Sequence, residues 1–188
     1  LLSRNSGVDA AGAQALLEVL GASTVEWVAL SRTSVSKELR AAVARQCLLT
    51  TVSRVARNDC TLTAVEWAKK GVDDALVAKL ADGLGNNDHV KRVNLEHNPD
   101  FSDIGAKALA SVLRNGRCAV EWVGLSFSGV STVGKQQLLS LCFRNTASFS
   151  DVVRRVAQND PELRKVDWRD ADADDEMLHT LVQGIRTN

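Results

Sequence analysis

The stretch from Gly129 to Gln136 is the part of the sequence that comes nearest to a known chemical motif, because it almost matches the phosphate-binding pattern GxxxxGK[ST]. Gly129, Gly134 and Lys135 occupy the required positions, and the stretch lies between a predicted strand and a predicted helix. The match fails at Gln136, which replaces the serine or threonine whose hydroxyl would hold magnesium. The equivalent loop in the other half of the chain, Thr33–Lys37, contains no glycine. The pattern therefore favours a plain turn between strand and helix over a nucleotide site.

A second near-motif is the acidic run Asp170–Glu176, which begins like the calcium loop of an EF-hand. The run lacks glycine at the sixth loop position, and Leu181 stands where the bidentate glutamate is needed. Its last aspartates match Asp73–Asp74 in the other half, which indicates helix capping and pairing with the helix dipole. The first two aspartates leave open a weak, adventitious cation site.

The remaining reactive side chains form no constellation. Three histidines are scattered along the chain, without a cysteine or carboxylate at metal-ligand spacing: His89, His97 and His179. Four cysteines show no CxxC pairing, which is typical of reduced thiols in a cytosolic protein: Cys47, Cys60, Cys118 and Cys142. Since no nucleophile has an orienting base, we expect no enzymatic activity, no cofactor and no metal.

Composition narrows the classes of function. The 188 residues are 45% hydrophobic and 24% charged, as in a globular protein. Lys+Arg and Asp+Glu are both 23, and this zero net charge argues against a nucleic-acid partner. No apolar run approaches the roughly 20 residues of a membrane span, so we expect no membrane partner either. The opening residues carry no Met and no signal peptide, which favours a cytoplasmic protein cut from a longer polypeptide.

The two halves of the chain repeat each other. Three segments recur in the same order: Val25–Ser31 as Val120–Ser126, Arg54–Asp59 as Arg155–Asp160, and Gly12–Leu16 as Gly105–Leu109. Within each half, a short alternating stretch precedes a stretch with helical spacing, which predicts strand-helix units. Six units are predicted, with the last strand anchors Leu2, Leu30, Trp67, Leu95, Leu125 and Trp168. Two units are long and predict helices over 36–56 and 132–156, the second broken near 145–150.

The segment Val90–Asn98 has the LxxLxLxxN spacing, precedes a predicted helix and resembles the leucine-rich repeat; the other units share its first three anchors. The GAxAL helices and the exit segment Leu113–Val120, with its cysteine, are similar to the ribonuclease-inhibitor-like class. The segments Asn58–Val65, Asn86–Lys91 and Asn159–Val166 are similar to the leucine-rich domain of tropomodulin. The resemblance implies an α/β solenoid with a curved parallel sheet on the concave side and helices on the convex side. We expect one domain over 1–188, built as two three-unit cassettes, approximately 1–61 plus 62–89 and 90–162 plus 163–188.

The strand alternation assigns one set of side chains to the core and another to the open face of the sheet. Trp67 and Trp168 replace a core leucine, whereas Trp27 and Trp122 are expected on the open face. A register shifted by one residue would bury Trp27 and Trp122 and expose the neighbouring valines, and this alternative stays open.

These features predict a protein-protein interaction scaffold that binds a protein partner through the concave face. Exposed tryptophan beside charged and aromatic residues is typical of binding hot spots. The candidate binding residues are Trp27, Arg32, Glu66, Lys69, Arg92, Glu96, His97, Trp122, Phe127 and Arg169.

The family resemblances supply two alternatives: a tropomodulin-like, cytoskeleton-associated role on actin filaments, and a GTPase-activating regulator of the Ran type. A purely structural stretch of a longer array is a further possibility. In that case the uncapped ends predict end-to-end self-association.

Overall fold

The protein is described by a computed structural model that covers residues 7–21, 23–115, 118–146, 152–156, 158, 178–180 and 182–183. Five helices account for most of the ordered backbone in these ranges: α1 Ala10–Leu20, α2 Lys37–Ala56, α3 Asp74–Leu84, α4 Asp103–Arg114 and α5 Thr132–Arg144. Three strands of three residues each alternate with the later helices: β1 Ala64–Glu66, β2 Arg92–Asn94 and β3 Trp122–Gly124. Residues 152–156 and 178–180 are also helical.

Short polar side chains fix where the helices begin. The residue before each helix accepts a hydrogen bond from a backbone N–H of the first turn, and these caps are Asp9, Ser36, Asp73, Ser102 and Ser131. Such a cap satisfies one of the N–H groups that a helix start leaves without an internal partner. The predicted helix over 36–56 is confirmed as α2 with Ser36 as its cap. The predicted helix over 132–156 begins at Thr132 and ends at Arg144, where Asn145 is the C-terminal cap, so the break predicted near 145–150 begins as expected; residues 152–156 are helical again.

The three strands form one parallel sheet in the order β1-β2-β3. Val65, Val93 and Val123 are register partners at its centre, and all three are buried. Each strand returns to the sheet through a helix, as parallel pairing requires. Backbone hydrogen bonds continue the pairing past the strand ends, from Leu95 N–H to the Gly124 carbonyl at 3.0 Å.

Two hydrophobic clusters hold the described residues together. The larger one joins the buried faces of the sheet, α3, α4 and α5, with Leu76, Leu80 and Leu109 among its members. A smaller one lies at the N-terminal side, where Leu20 of α1 packs with Val43 of α2 and with Leu30. The long helix α2 contributes to both clusters and therefore links them.

The predicted leucine-rich repeat solenoid with a curved sheet is wrong. The described residues contain three very short strands rather than a strand in every unit, and helices dominate, so the protein is a mixed, helix-rich fold with a small parallel sheet. The alternating segment 25–30 is not a strand. Its side chains contact residues elsewhere in the fold: Glu26 pairs with Arg54 of α2, and the Lys70 ammonium lies over the Trp27 ring. The anchors Leu2 and Trp168 lie outside the described residues, so the division into six units and two cassettes stays a prediction.

Candidate protein-binding surface

The start of α5 shows why the near-match to a phosphate loop is a turn. The carboxylate of Asp103 accepts hydrogen bonds from the Ser131 N–H at 2.9 Å and from the Ser131 hydroxyl at 3.0 Å. A β-carbon added at Gly134 would lie 2.5 Å from the same carboxylate oxygen. Helix N-termini attract anions, and here the chain supplies its own. A carboxylate therefore occupies the position at which a phosphate would bind.

The preceding helix begins in the same way. Asp74, the first residue of α3, accepts hydrogen bonds from the Ser102 N–H at 2.8 Å, the Ser102 hydroxyl at 2.6 Å and the Gly105 N–H at 2.9 Å. Partial burial alone would raise the pKa of Asp74, but the hydrogen bonds from Ser102 and Gly105 outweigh it and lower the pKa. The predicted capping role of Asp73–Asp74 is confirmed: Asp73 caps its own helix, and Asp74 closes the start of the next one.

Titratable side chains do not assemble a reactive centre within the described ranges. No group of three or more histidines, cysteines or carboxylates lies close enough there to hold a metal ion, and the acidic run Asp170–Glu176 lies outside these ranges. Cys47, Cys118 and Cys142 are buried free thiols. Burial raises the pKa of Cys142 to about 12, which keeps this thiol protonated and unreactive at neutral pH.

A charge cluster around the buried Arg54 guanidinium is not among the sequence predictions and has a structural role. The Arg54 guanidinium donates to Asp59 at 2.7 Å and to the Thr61 hydroxyl at 2.9 Å, and it also pairs with Glu26. The hydrogen bond from the Thr61 hydroxyl, followed by that from Arg54, holds the pKa of Asp59 well below its usual range. The repeated segment that begins at Arg54 thus fixes the turn after α2, and the start of the recurring copy, Arg155, is also described.

The tryptophans are buried or exposed largely as expected. Trp67 is buried in the larger cluster, while Trp27 is 49% exposed, so both assignments are confirmed. The shifted register is excluded for β3, because Val123 is buried. Trp122 lies on the outer face but is half-buried, since its ring covers Gly124.

Each of the two outer-face tryptophans is paired with a cation. The Lys70 ammonium lies 3.2 Å from the centre of the Trp27 ring, and the Arg92 guanidinium carbon lies 4.5 Å from the centre of the Trp122 ring. Partial burial lowers the pKa of Lys70. Cation–π pairs of this kind contribute about 0.5–1 kcal/mol at exposed sites. The two cations therefore restrict the orientations of the two rings.

The carboxyl edge of the sheet carries a second aromatic pair. The rings of His97 and Phe127 stack with their centres 4.5 Å apart and an angle of 13° between their planes. Both residues have left-handed backbone, with φ of 56° at each, and the His97 N–H donates to the Ser126 carbonyl at 2.8 Å. This backbone conformation is uncommon outside glycine and directs both side chains away from the core.

Two exposed aliphatic side chains at the same edge escaped the sequence predictions. Ile104 is the second residue of α4 and Val133 the second residue of α5, and the Asp103–Ser131 hydrogen bonds hold the two helix starts side by side. A parallel strand and the helix that follows it meet at the carboxyl end of the strand, so these residues share the edge with His97 and Phe127. We call the four residues the apolar rim. Phe127, Ile104 and Val133 are 72%, 73% and 74% exposed, the highest values for large apolar side chains in the described part of the chain.

The other predicted binding residues surround this edge. Arg32 and Lys69 are exposed and also have left-handed backbone, with φ of 58° and 59°. Glu66 is exposed on the outer face of the sheet, Glu96 is half-buried, and Arg169 lies outside the described residues. Nine of the ten predicted residues thus lie within the described part of the chain.

No helix in the described part of the chain has both the length and the apolar character that a bilayer crossing requires. No family model matches the sequence, and no curated protein matches it either.

Proposed function

We propose that this protein binds another protein through the apolar rim and the adjoining outer face of the sheet. The observation behind the proposal is the clustering of the three most exposed large apolar side chains of the described residues at one edge of the fold. Single exposed apolar residues are ordinary on a protein surface, but a group rimmed by charges is typical of an interaction site.

The aromatic residues suit such a site because their positions are already fixed. The His97–Phe127 stack and the Trp27–Lys70 pair lose little conformational freedom on binding, which reduces the entropic cost of association. Large, rigid aromatic side chains are also the commonest binding hot spots.

The charges around the rim indicate the chemistry of the partner segment. Glu66 and Glu96 lie on the outer face, while Arg32 and Lys69 lie at the turns. A segment with apolar side chains at its centre and charges of both signs at its margins would complement this surface. We therefore expect the partner to bind through an amphipathic protein segment, not as a nucleic acid or a small molecule.

The left-handed backbone gives further support. Four residues at equivalent turns, Arg32, Lys69, His97 and Phe127, adopt a conformation that costs a residue with a side chain roughly 1–2 kcal/mol relative to glycine. Glycine would remove this cost, but it would also remove the side chains that the turns present to a partner.

The experiment compares three variants of the tagged protein in quantitative affinity purification. The rim variant combines Ile104→Ser with Phe127→Ser, the face variant combines Trp27→Ala with Trp122→Ala, and the control is Val19→Ser on α1. Val19 is likewise an exposed aliphatic residue, but it lies on the N-terminal helix. A captured protein that depends on the rim is then purified, and its affinity for each form is measured by calorimetry.

We expect the rim variant to weaken the measured affinity by about 30-fold or more, which corresponds to a hot-spot loss of about 2 kcal/mol. The face variant should weaken it less, because Trp122 is partly covered. Equal affinity of the rim variant and the Val19→Ser control would overturn the proposal. Unfolding midpoints should change little, because the substituted rim side chains are exposed.

The proposal extends to location. Free thiols at all four cysteines are typical of the cytoplasm, so we propose that the protein acts there. A cytoskeletal role, a GTPase-activating role and end-to-end self-association stay predictions. Actin elongation, single-turnover GTP hydrolysis and sedimentation velocity would test them separately.

A further inference from the structure

A cleft of about 400 Å³ opens between α4 and α5, and none of its lining residues belongs to the apolar rim. Residues of α4 line most of it, and α5 supplies one side chain: the lining consists of Lys107, Ala110, Ser111, Arg114, Asn115 and Gln137. Buried Ala110 forms a small, apolar floor, whereas the other lining side chains are polar. The small Ala110 side chain therefore leaves room for a peptide backbone, and the polar side chains around it can bind polar groups of that peptide.

Both charged side chains that line the cleft are positive. Lys107 and Arg114 are exposed, and no carboxylate of the described residues lies within ion-pair distance of either. α5 contains no acidic residue, and the only acidic residue of α4, Asp103, accepts hydrogen bonds from Ser131. The cleft is thus locally positive in a chain whose overall formal charge is zero.

The neighbouring helix shows that this charge pattern is particular to α4. Asp74 and Asp103 begin α3 and α4, so the two helices can be aligned from these residues. In that alignment Asp82 of α3 stands where α4 has Ser111, and Ala78 stands where α4 has Lys107. A corresponding surface on α3 would be acidic rather than basic.

The spacing of the two cations limits what they can bind. Lys107 and Arg114 are seven residues apart, which is about two turns or roughly 10 Å along the helix axis. On a peptide in the extended polyproline II conformation, side chains three residues apart lie on the same face and are separated by about 9 Å. Ser111, Asn115 and Gln137 supply hydrogen-bonding groups between and beside the cations.

We propose that this cleft binds an acidic protein segment in extended form, with carboxylates paired to Lys107 and Arg114. Two cations and no aromatic side chain among the lining residues are a poor match for a nucleic acid, which needs a longer basic track and stacking surfaces. The cleft shares no lining residue with the apolar rim, although Lys107 follows Ile104 by one turn of α4. Its partner segment is anionic rather than apolar.

Fluorescence anisotropy tests the proposal with a labelled twelve-residue peptide in which glutamates recur every third residue. A peptide of the same sequence with glutamine for glutamate and a twelve-nucleotide oligothymidine serve as comparison probes. The cleft variant is Lys107→Gln with Arg114→Gln. The control variant, Lys79→Gln with Arg57→Gln, removes two exposed cations outside the cleft lining.

At low salt we expect saturable binding of the acidic peptide with a Kd on the order of 100 µM, a loss of about tenfold in the cleft variant and less than about twofold in the control. Gln137→Glu leaves both cations in place. It should also weaken binding, because its negative charge repels the carboxylates of the peptide. The proposal is overturned by absence of binding, by equal loss in both double variants, or by tighter binding of the oligothymidine with the same loss in the cleft variant.

Discussion

Asn98 offers the sharpest test of how neighbouring parts of this fold are joined. The side chain is fully buried, and its amide group donates to the Trp67 carbonyl at 2.9 Å and to the Leu95 carbonyl at 3.0 Å. Its oxygen accepts from the Lys70 and Val72 N–H groups, both at 3.1 Å. One side chain therefore ties the turn after β1 to the turn after β2.

Asn98→Ala removes all of these bonds at once. At least three backbone groups of the neighbouring turn lose a partner: the N–H groups of Lys70 and Val72 and the carbonyl of Trp67. Each buried group left unpaired costs about 1–3 kcal/mol, so we take about 1 kcal/mol for each and expect a loss of about 3 kcal/mol in the free energy of unfolding. A loss of this size is large against the 5–15 kcal/mol of a typical domain.

Urea unfolding followed by tryptophan fluorescence measures the loss. With a slope of about 2 kcal/mol per molar urea, the midpoint should fall by about 1.5 M while the slope is unchanged. The matched control is Asn86→Ala, at an exposed asparagine, which should change the free energy of unfolding by less than about 0.5 kcal/mol. If Asn98→Ala costs less than about 1 kcal/mol, the argument from unpaired backbone groups is refuted.

Three further predictions concern packing, backbone and pH. Gly105→Ala would place a β-carbon 2.7 Å from a carboxylate oxygen of the preceding helix, so it should destabilise the fold by about 1–3 kcal/mol in chemical denaturation, although alanine favours helices elsewhere. Lys69→Gly should raise the midpoint of thermal unfolding, because glycine accommodates the φ of 59° without strain; a lower midpoint would contradict the assignment of strain. Hydrogen bonds from the Thr61 hydroxyl and then from Arg54 lower the pKa of Asp59, so its contribution to stability is present above the unfolded value of about 3.9 and is lost as the pH falls below it. The difference in unfolding free energy between wild type and Asp59→Asn should accordingly shrink between pH 7 and pH 3, and a constant difference would speak against this role.

The features predicted correctly are those that depend on near neighbours in the chain. A cap such as Ser36 needs only a helical N–H three residues later, so the start of α2 could be placed to within one residue. The alternation around Trp67 and Val123 likewise follows from the strand geometry, which sends successive side chains to opposite faces.

The errors came where distant residues decide the outcome. The segment 25–30 has the same alternation as β3, yet it is not a strand, because pairing requires a backbone ladder to a partner strand, which alternation does not encode. Trp122 was expected to be exposed, but Gly124 leaves room for its ring to lie against the sheet. The sequence pattern does not distinguish Ile104 and Val133 from core residues, and only the packing of α4 and α5 places both on the surface.

By itself, the sequence determined the local features of this protein: the helix starts, the buried face of each strand and the absence of any familiar reactive motif. The tertiary structure alone decided which strands pair, that Asp103 closes the start of α5, and that Ile104 and Val133 are exposed to solvent. The physical reason is the distance along the chain between the groups that interact. Caps and alternation are satisfied within a few residues, whereas the Asp74–Gly105 and Asn98–Val72 hydrogen bonds join groups 31 and 26 residues apart and exist only once the elements have packed.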